Sequence, residues 1–208
     1  MSFEFGELSF TVQNVVIQDG KILLVHEKDH AGEGGRRPGW NLFGGNTEGW
    51  DINRTYRQII NFLPVEVDIN LDEEFFRNFI RQERMDNEFF SFFRTHKEYG
   101  NYVTLLGSMV YFTAIREGIE ETGLLVRPTA VLFEELTKSE NHRLIVVHSE
   151  IVLGKIKKRS LETDDCGWFD LRNLPEGTFP SHRSRIALAV YKLGIRDEKS
   201  GQLLDLFV

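Results

Sequence analysis

A single cysteine, Cys166, in 208 residues leaves no partner for an intrachain disulfide and suits a reducing interior. Long apolar runs are missing too, so no segment is expected to span a bilayer. The opening Met1-Ser2-Phe3-Glu4-Phe5 lacks the basic and apolar regions of a signal peptide, and the closing Leu206-Phe207-Val208 is not a peroxisomal address. A cytoplasmic protein without a membrane partner is the expectation. Positive charge is scarce, with 25 Lys and Arg against 32 Asp and Glu and a net charge of -7. That balance argues against nucleic-acid backbone binding as the main activity, though not against a nucleotide held through a metal. His-Glu-x-x-His, Cys-x-x-Cys, the phosphate-binding P-loop and Gly-x-Ser-x-Gly are all absent. Cys166 has no evident His partner or helix N-terminus nearby in sequence, so it is not read as a nucleophile.

What is present in quantity is apolar and acidic. At 41% hydrophobic, the chain can bury a sizeable core, and it is read as a single domain over residues 1–208 carrying an elaboration. The stretch that organises the reading is Ala114-Ile115-Arg116-Glu117-Gly118-Ile119-Glu120-Glu121-Thr122-Gly123-Leu124. As a helix it places Glu117, Glu120 and Glu121 at i, i+3 and i+4, three carboxylates on one face. Such charges repel one another, more strongly where water is excluded. A hard dication with oxygen ligands offsets that repulsion. A solvated, ion-paired face is the plainer alternative, but Met109 to Ala114 lead in with Met-Val-Tyr-Phe-Thr-Ala, apolar on nearly every side, as for a helix sunk into a core. Gly118 inside the helix costs about 1 kcal/mol relative to Ala and suggests a close approach there. Gly123 is placed for a left-handed C-terminal cap.

Arg116-Glu117-Gly118-Ile119-Glu120-Glu121-Thr122-Gly123-Leu124 resembles the second half of the Nudix box, Gly-x5-Glu-x7-Arg-Glu-U-x-Glu-Glu-x-Gly-U, where U is a bulky aliphatic; Gly118 departs from U. The first half resembles Trp40-Asn41-Leu42-Phe43-Gly44-Gly45-Asn46-Thr47-Glu48-Gly49-Trp50-Asp51, far upstream. Asp51 falls where the family has Glu, one methylene shorter. The box is thus split: 64 residues, not seven, separate Asp51 from Arg116. The resemblance covers about residues 9–51 and 107–196. It implies a Nudix-type α/β/α sandwich with a mixed sheet, interrupted by an insertion over about residues 52–107 that has no family counterpart and is expected to be mostly helical from its own apolar spacing. It also implies hydrolysis of a diphosphate linkage with Mg2+ or Mn2+. On this likeness Glu120 and Glu121 are metal ligands, Glu117 a ligand or the base, Arg116 the partner that holds a glutamate, and Asp51 a further acid through a second metal or a water.

The remaining chain is read in order. Phe10 to Ile17 and Ile22 to Val25 are β-prone around an Asp19-Gly20 turn, an ordinary hairpin. Residues 28–39, polar and glycine-rich, read as a loop in which Arg36 and Arg37 either clamp a phosphate in fork geometry or simply sit at the surface. Gly44-Gly45 is read as the point where backbone meets substrate. Asn53 to Phe62 and Asp72 to Arg84 have helical spacing with Pro64 between them. Phe75, Phe76, Phe79, Phe89, Phe90, Phe92 and Phe93 then form a small core, a cap over the pocket or a homodimer contact. Thr129 to Thr137 and Arg143 to Leu153 read as strands, where at most one of Glu134 and Glu135 faces the site. Asp165 to Pro175 resembles the family's late strand, and His182 to Leu193 a final helix. The substrate so implied is a nucleoside diphosphate linked to another moiety. A domain that kept the fold and serves as a nucleotide sensor or interaction module is the alternative.

Overall fold

A computed structural model describes residues 9–28, 38–47, 110–137, 142–196, 204 and 206. In chain order the elements are β1 (Ser9–Val15), β2 (Ile17–Gln18), β3 (Lys21–Glu27), β4 (Gly39–Asn41), β5 (Gly44–Asn46), β6 (Leu124–Leu136), β7 (His142–Gly154) and β8 (Thr163–Asp170). Among the described residues two helices flank them. α1 is α-helical over residues 110–117 and continues into a π-helical turn, Gly118–Thr122. α2 is Pro180–Lys192, with Pro at its first position, where the missing N–H costs nothing. Among the described residues no helix is long and apolar enough to cross a membrane.

The strands form two four-stranded sheets. The first runs β5-β1-β7-β6, with β1 parallel to β7 and the other pairs antiparallel. In the second, β3 pairs with β2, β4 and β8. The four central residues of β3, Ile22 to Val25, are all buried, as expected for a strand covered on both faces. The single hairpin predicted from Phe10 to Val25 is not formed. β1 belongs to the first sheet, the chain breaks at Val16, and only β2 and β3 make a hairpin, about Asp19 and Gly20 at φ of 51° and 72°. Two consecutive positive φ values match the twist of paired strands, so the Asp-Gly signal located the turn but not the sheet each arm joins.

Alternation along the strands decides which helix each residue meets. Phe10 and Val12 of β1 and Ile145 and Val147 of β7 pack with Val110 and Ala114 of α1. Val15, Leu144 and Val146, on the opposite side, pack with Ile22, Leu24, Ile186, Ala189 and Val190. Helices on both faces of a mixed sheet give the α/β/α sandwich. β6 starts five residues before the predicted Thr129, because the strand passes Pro128 through an irregularity in register. An edge strand tolerates this, since a proline there forfeits no ladder bond. The predicted insertion over about residues 52–107 lies outside the described residues.

Candidate active site

The two halves of the split motif meet. Gly44 N–H donates to Glu121 Oε2 at 2.8 Å, and Arg116 Nη2 donates to the Asn46 carbonyl at 2.9 Å across 70 positions of sequence. Gly45 lies so close to Glu117 that a Cβ there would stand 2.1 Å from Glu117 Oε1, hence the need for glycine. Asn14 helps hold α1 to the sheet: its amide donates to the Ala114 carbonyl and accepts from Ser149 Oγ.

Arg116 is 4% exposed and organises the carboxylates of its own helix, meeting Glu117 Oε1 at 2.8 Å and Glu120 Oε2 at 3.0 Å. Glu117 and Glu121 are buried, while Glu120 stays partly exposed. The helix ends differently from a regular one. Gly123, at φ 74°, sends its N–H to the carbonyls of Gly118 and Ile119, closing the wider π turn. Turns of this kind recur at functional sites. Gly118 stands where the Nudix box has an aliphatic because a Cβ there would lie 2.8 Å from Val126 Cγ2 and 3.1 Å from the Leu124 carbonyl. Gly118→Leu should therefore cost about 1–3 kcal/mol by overpacking. Chemical denaturation should show part of that loss recovered in the Gly118→Leu, Val126→Ala double variant.

These groups face a cavity of about 780 Å3, lined also by Glu27, Glu162, Lys157 and Arg185, a size that suits a nucleotide-like ligand. Burial pushes the Glu121 carboxyl well above the usual range; the charge of Glu117 adds to this, the Gly44 N–H opposes it, and Glu162 and Glu27 raise it further. Five carboxylates thus share one cavity. Among the described residues no three His, Cys, Asp or Glu side chains converge tightly enough to hold an ion by themselves. The donors are nevertheless hard oxygens with excess negative charge. Mg2+ keeps several waters and needs only one or two carboxylates besides substrate phosphates, so the residues fit such an ion.

The other predicted residues are placed as follows. Asp51, Arg36 and Arg37 lie outside the described residues. Glu134 is exposed and pairs with Arg143, and Glu135 pairs with Arg185 at 2.8 Å; neither lines the cavity. Glu27 and Glu162 are the further acids there, and neither belongs to a recognisable local pattern. Cys166 is 2% exposed, and its thiol is pushed up to about 12, by burial first and then by the charges of Asp165 and Glu121. It should resist iodoacetamide at pH 8 in the folded protein and react promptly once unfolded, as mass spectrometry would show.

No protein-family sequence profile and no curated protein sequence matches the chain. Solved structures do. The chain has the fold of the Nudix hydrolases. It is similar to an ADP-ribose pyrophosphatase from Streptococcus suis, with 18% identity, 91% of this chain and 93% of that one covered, and a TM-score of 0.50. A Nudix hydrolase from Nitrosomonas europaea matches at 12% identity, 97% and 77% coverage and a TM-score of 0.52. A UDP-X diphosphatase matches at 16% identity and a TM-score of 0.50, covering 91% of this chain but only 64% of that one.

Proposed function

We propose that the protein is a metal-dependent hydrolase that cleaves the diphosphate linkage of a nucleoside diphosphate joined to another moiety. The observation that carries this reading is the rejoined motif. Gly44 holds Glu121, and Arg116 holds both Glu117 and Glu120, on the wall of one cavity. Glu120 and Glu121 are the residues that would hold Mg2+ or Mn2+, with Glu117 as a ligand or as the base. Such an ion, when bound, neutralises diphosphate oxygens and acidifies water.

The chain's own groups supply the rest. The Gly44 N–H fixes one oxygen of Glu121, and Arg116 restricts the rotamers of Glu117 and Glu120, so the carboxylates are positioned before substrate arrives. Glu117, or Glu162, which lines the same cavity, accepts the proton of the attacking water. Lys157 brings positive charge to a cavity that must admit a polyanion, while the charge of Arg185 is matched by Glu135. The similarity to an ADP-ribose pyrophosphatase and a UDP-X diphosphatase supports nucleoside diphosphate derivatives as the substrate class.

The test is a panel of diphosphate compounds with Mg2+ or Mn2+, both products weighed by mass spectrometry, beside the Glu121→Gln protein. Selective cleavage absent from the variant is expected. Binding of Mn2+ without cleavage of any compound would reject the hydrolase and leave a nucleotide-binding or protein-interaction module.

A further inference from the structure

Between β7 and β8 the chain runs Lys155-Ile156-Lys157-Lys158-Arg159, and no other five consecutive residues of the sequence hold four cations. In a protein of net charge -7 that concentration is local, and like charges so close repel one another unless an anion offsets them. The loop is held at both ends. Ile156 packs against the apolar cluster of Leu23, Val126 and Cys166, while Lys155 and Lys157 on either side of it are exposed. The Lys157 N–H donates to the Thr122 carbonyl at 2.8 Å. A Cβ on Gly123 would stand 2.9 Å from the Lys155 carbonyl oxygen and 3.0 Å from Lys157 Cβ, so the glycine that ends the glutamate helix also lets the loop rest on it. At the far end Lys28 Nζ donates to the carbonyls of Ser160 and Leu161, at 2.6 and 2.9 Å, and Ser160 Oγ accepts from the N–H groups of Glu162 and Thr163. The backbone that carries the four cations is thereby fixed beside the glutamate cavity, which Lys157 itself lines.

The other cations of the cavity are already matched. Arg116 meets Glu117 and Glu120, and Arg185 meets Glu135. Lys158 lies 3.7 Å from Asp165, a loose pair. Among the described residues Lys155, Lys157 and Arg159 have no carboxylate partner. The ion that Glu120 and Glu121 would hold offsets the charge of the scissile diphosphate, so these three cations remain for an anion outside it. A phosphate group, compact and multiply charged, matches ammonium and guanidinium donors gathered on one short loop.

We propose that the β7–β8 loop, through Lys157 together with Lys155 and Arg159, binds a phosphate of the substrate that lies outside the scissile diphosphate. This rests on the hydrolase reading and names the substrate class within it, nucleoside diphosphate derivatives that carry at least one further phosphate. That phosphate belongs either to a lengthened phosphate chain or to a monoester on a sugar, and matched compounds separate the two sources. A lipid surface is the rival occupant, because Leu161 is 93% exposed on the same turn.

The test measures kcat/KM with Mg2+ for two matched pairs, diadenosine diphosphate with diadenosine tetraphosphate and ADP-ribose with its 2′-phosphate. The wild type should favour the more phosphorylated member of at least one pair by about tenfold or more, and the pair that responds assigns the source. In the Lys155→Gln, Lys157→Gln, Arg159→Gln triple variant the ratio should fall below about threefold, as it should for the wild type at about 0.5 M salt. Lys157→Arg, which keeps the charge, should retain it. All three side chains are exposed, so an unchanged melting temperature is expected of the triple variant. Equal cleavage within both pairs, or a preference that the triple variant keeps, overturns the inference while leaving the hydrolase reading intact. So does cosedimentation of the wild type, but not of the triple variant, with phosphatidylserine vesicles in the absence of any phosphate preference, which would assign the loop to a lipid surface. Should no compound be cleaved, the hydrolase reading fails instead. The same pairs are then titrated calorimetrically with Mn2+ present, where tighter binding of the more phosphorylated member, lost in the triple variant, sustains the inference and equal affinity overturns it.

Discussion

Glu121→Gln should abolish diphosphate hydrolysis, by about 10³-fold or more, while raising the melting temperature of the metal-free protein at neutral pH. The two effects have one cause. Burial and the neighbouring charges of Glu117, Glu162 and Glu27 push the Glu121 carboxyl well above its ordinary value of 4.5. A carboxyl whose pKa is raised by folding favours the folded state fully below its unfolded value, and that contribution is lost as pH rises through the folded value. At pH 7 to 8, well above the ordinary value, the buried group therefore costs stability, whether it carries its charge or takes up a proton to shed it. Glutamine removes the charge but keeps an oxygen that can accept the Gly44 N–H. The gain should vanish as pH falls below about 4.5, where Glu121 is neutral in both states. For a chain of this size, each kcal/mol is read as a shift of about 2–4 °C. Mg2+ or Mn2+ should reverse the order, stabilising the wild type and leaving the variant unmoved. A variant that melts below the wild type across the whole pH range, with unchanged response to Mn2+, would remove Glu121 from the site.

The same residues show how far the sequence could be read. Ala114 to Leu124 announced a buried helix with three glutamates because its information is local: apolar lead-in residues, acids at fixed spacing and a glycine cap. Individual strands and helices were legible for a similar reason, since they write their periods into short windows, whereas the α/β/α arrangement followed from the resemblance to the Nudix box. The π turn was not, because the bond that widens it depends on how Gly123 leaves the helix. Nor was the separation of β1 from the β2–β3 hairpin, which is fixed by pairing with His142–Gly154 far along the chain. Glu27 and Glu162 had no motif to mark them; they reach the cavity only through the antiparallel pairing of β3 with β8 and the segment that leads into it. Gln13 and Arg185 are ordinary polar residues in a strand and a helix until tertiary structure brings them within 3.4 Å. Gly118 is the instructive departure: it looks like a flaw in the motif and proves to be a packing requirement set by Val126.

Arg116→Met should be the most destabilising single change in the site. The guanidinium is 4% exposed and meets Glu117, which is itself 6% exposed, at 2.8 Å. Removing the guanidinium leaves the Glu117 carboxylate buried without the cation that faces it, which costs about 3–5 kcal/mol. It also deletes the bond from Arg116 to the Asn46 carbonyl that ties α1 to β5, so the Gly-Gly strand should loosen together with the helix. The lost charge can be separated from the lost packing by adding Glu117→Gln. In the Arg116→Met, Glu117→Gln protein the buried charge is gone, and denaturant unfolding should recover about half of the loss or more, a coupling of about 2 kcal/mol in the double-mutant cycle. Glu120 provides the internal control. It is partly exposed and pairs with the same guanidinium at 3.0 Å, so water can solvate it when Arg116 is removed, and Glu120→Gln should rescue by no more than about 0.5–1 kcal/mol. Equal rescue by the two substitutions would mean that burial does not distinguish the two pairs and that Arg116 acts mainly through its contact with β5. Unequal rescue, with Glu117 the larger, would place the strain of the rejoined motif at the carboxylate against which Gly45 is packed.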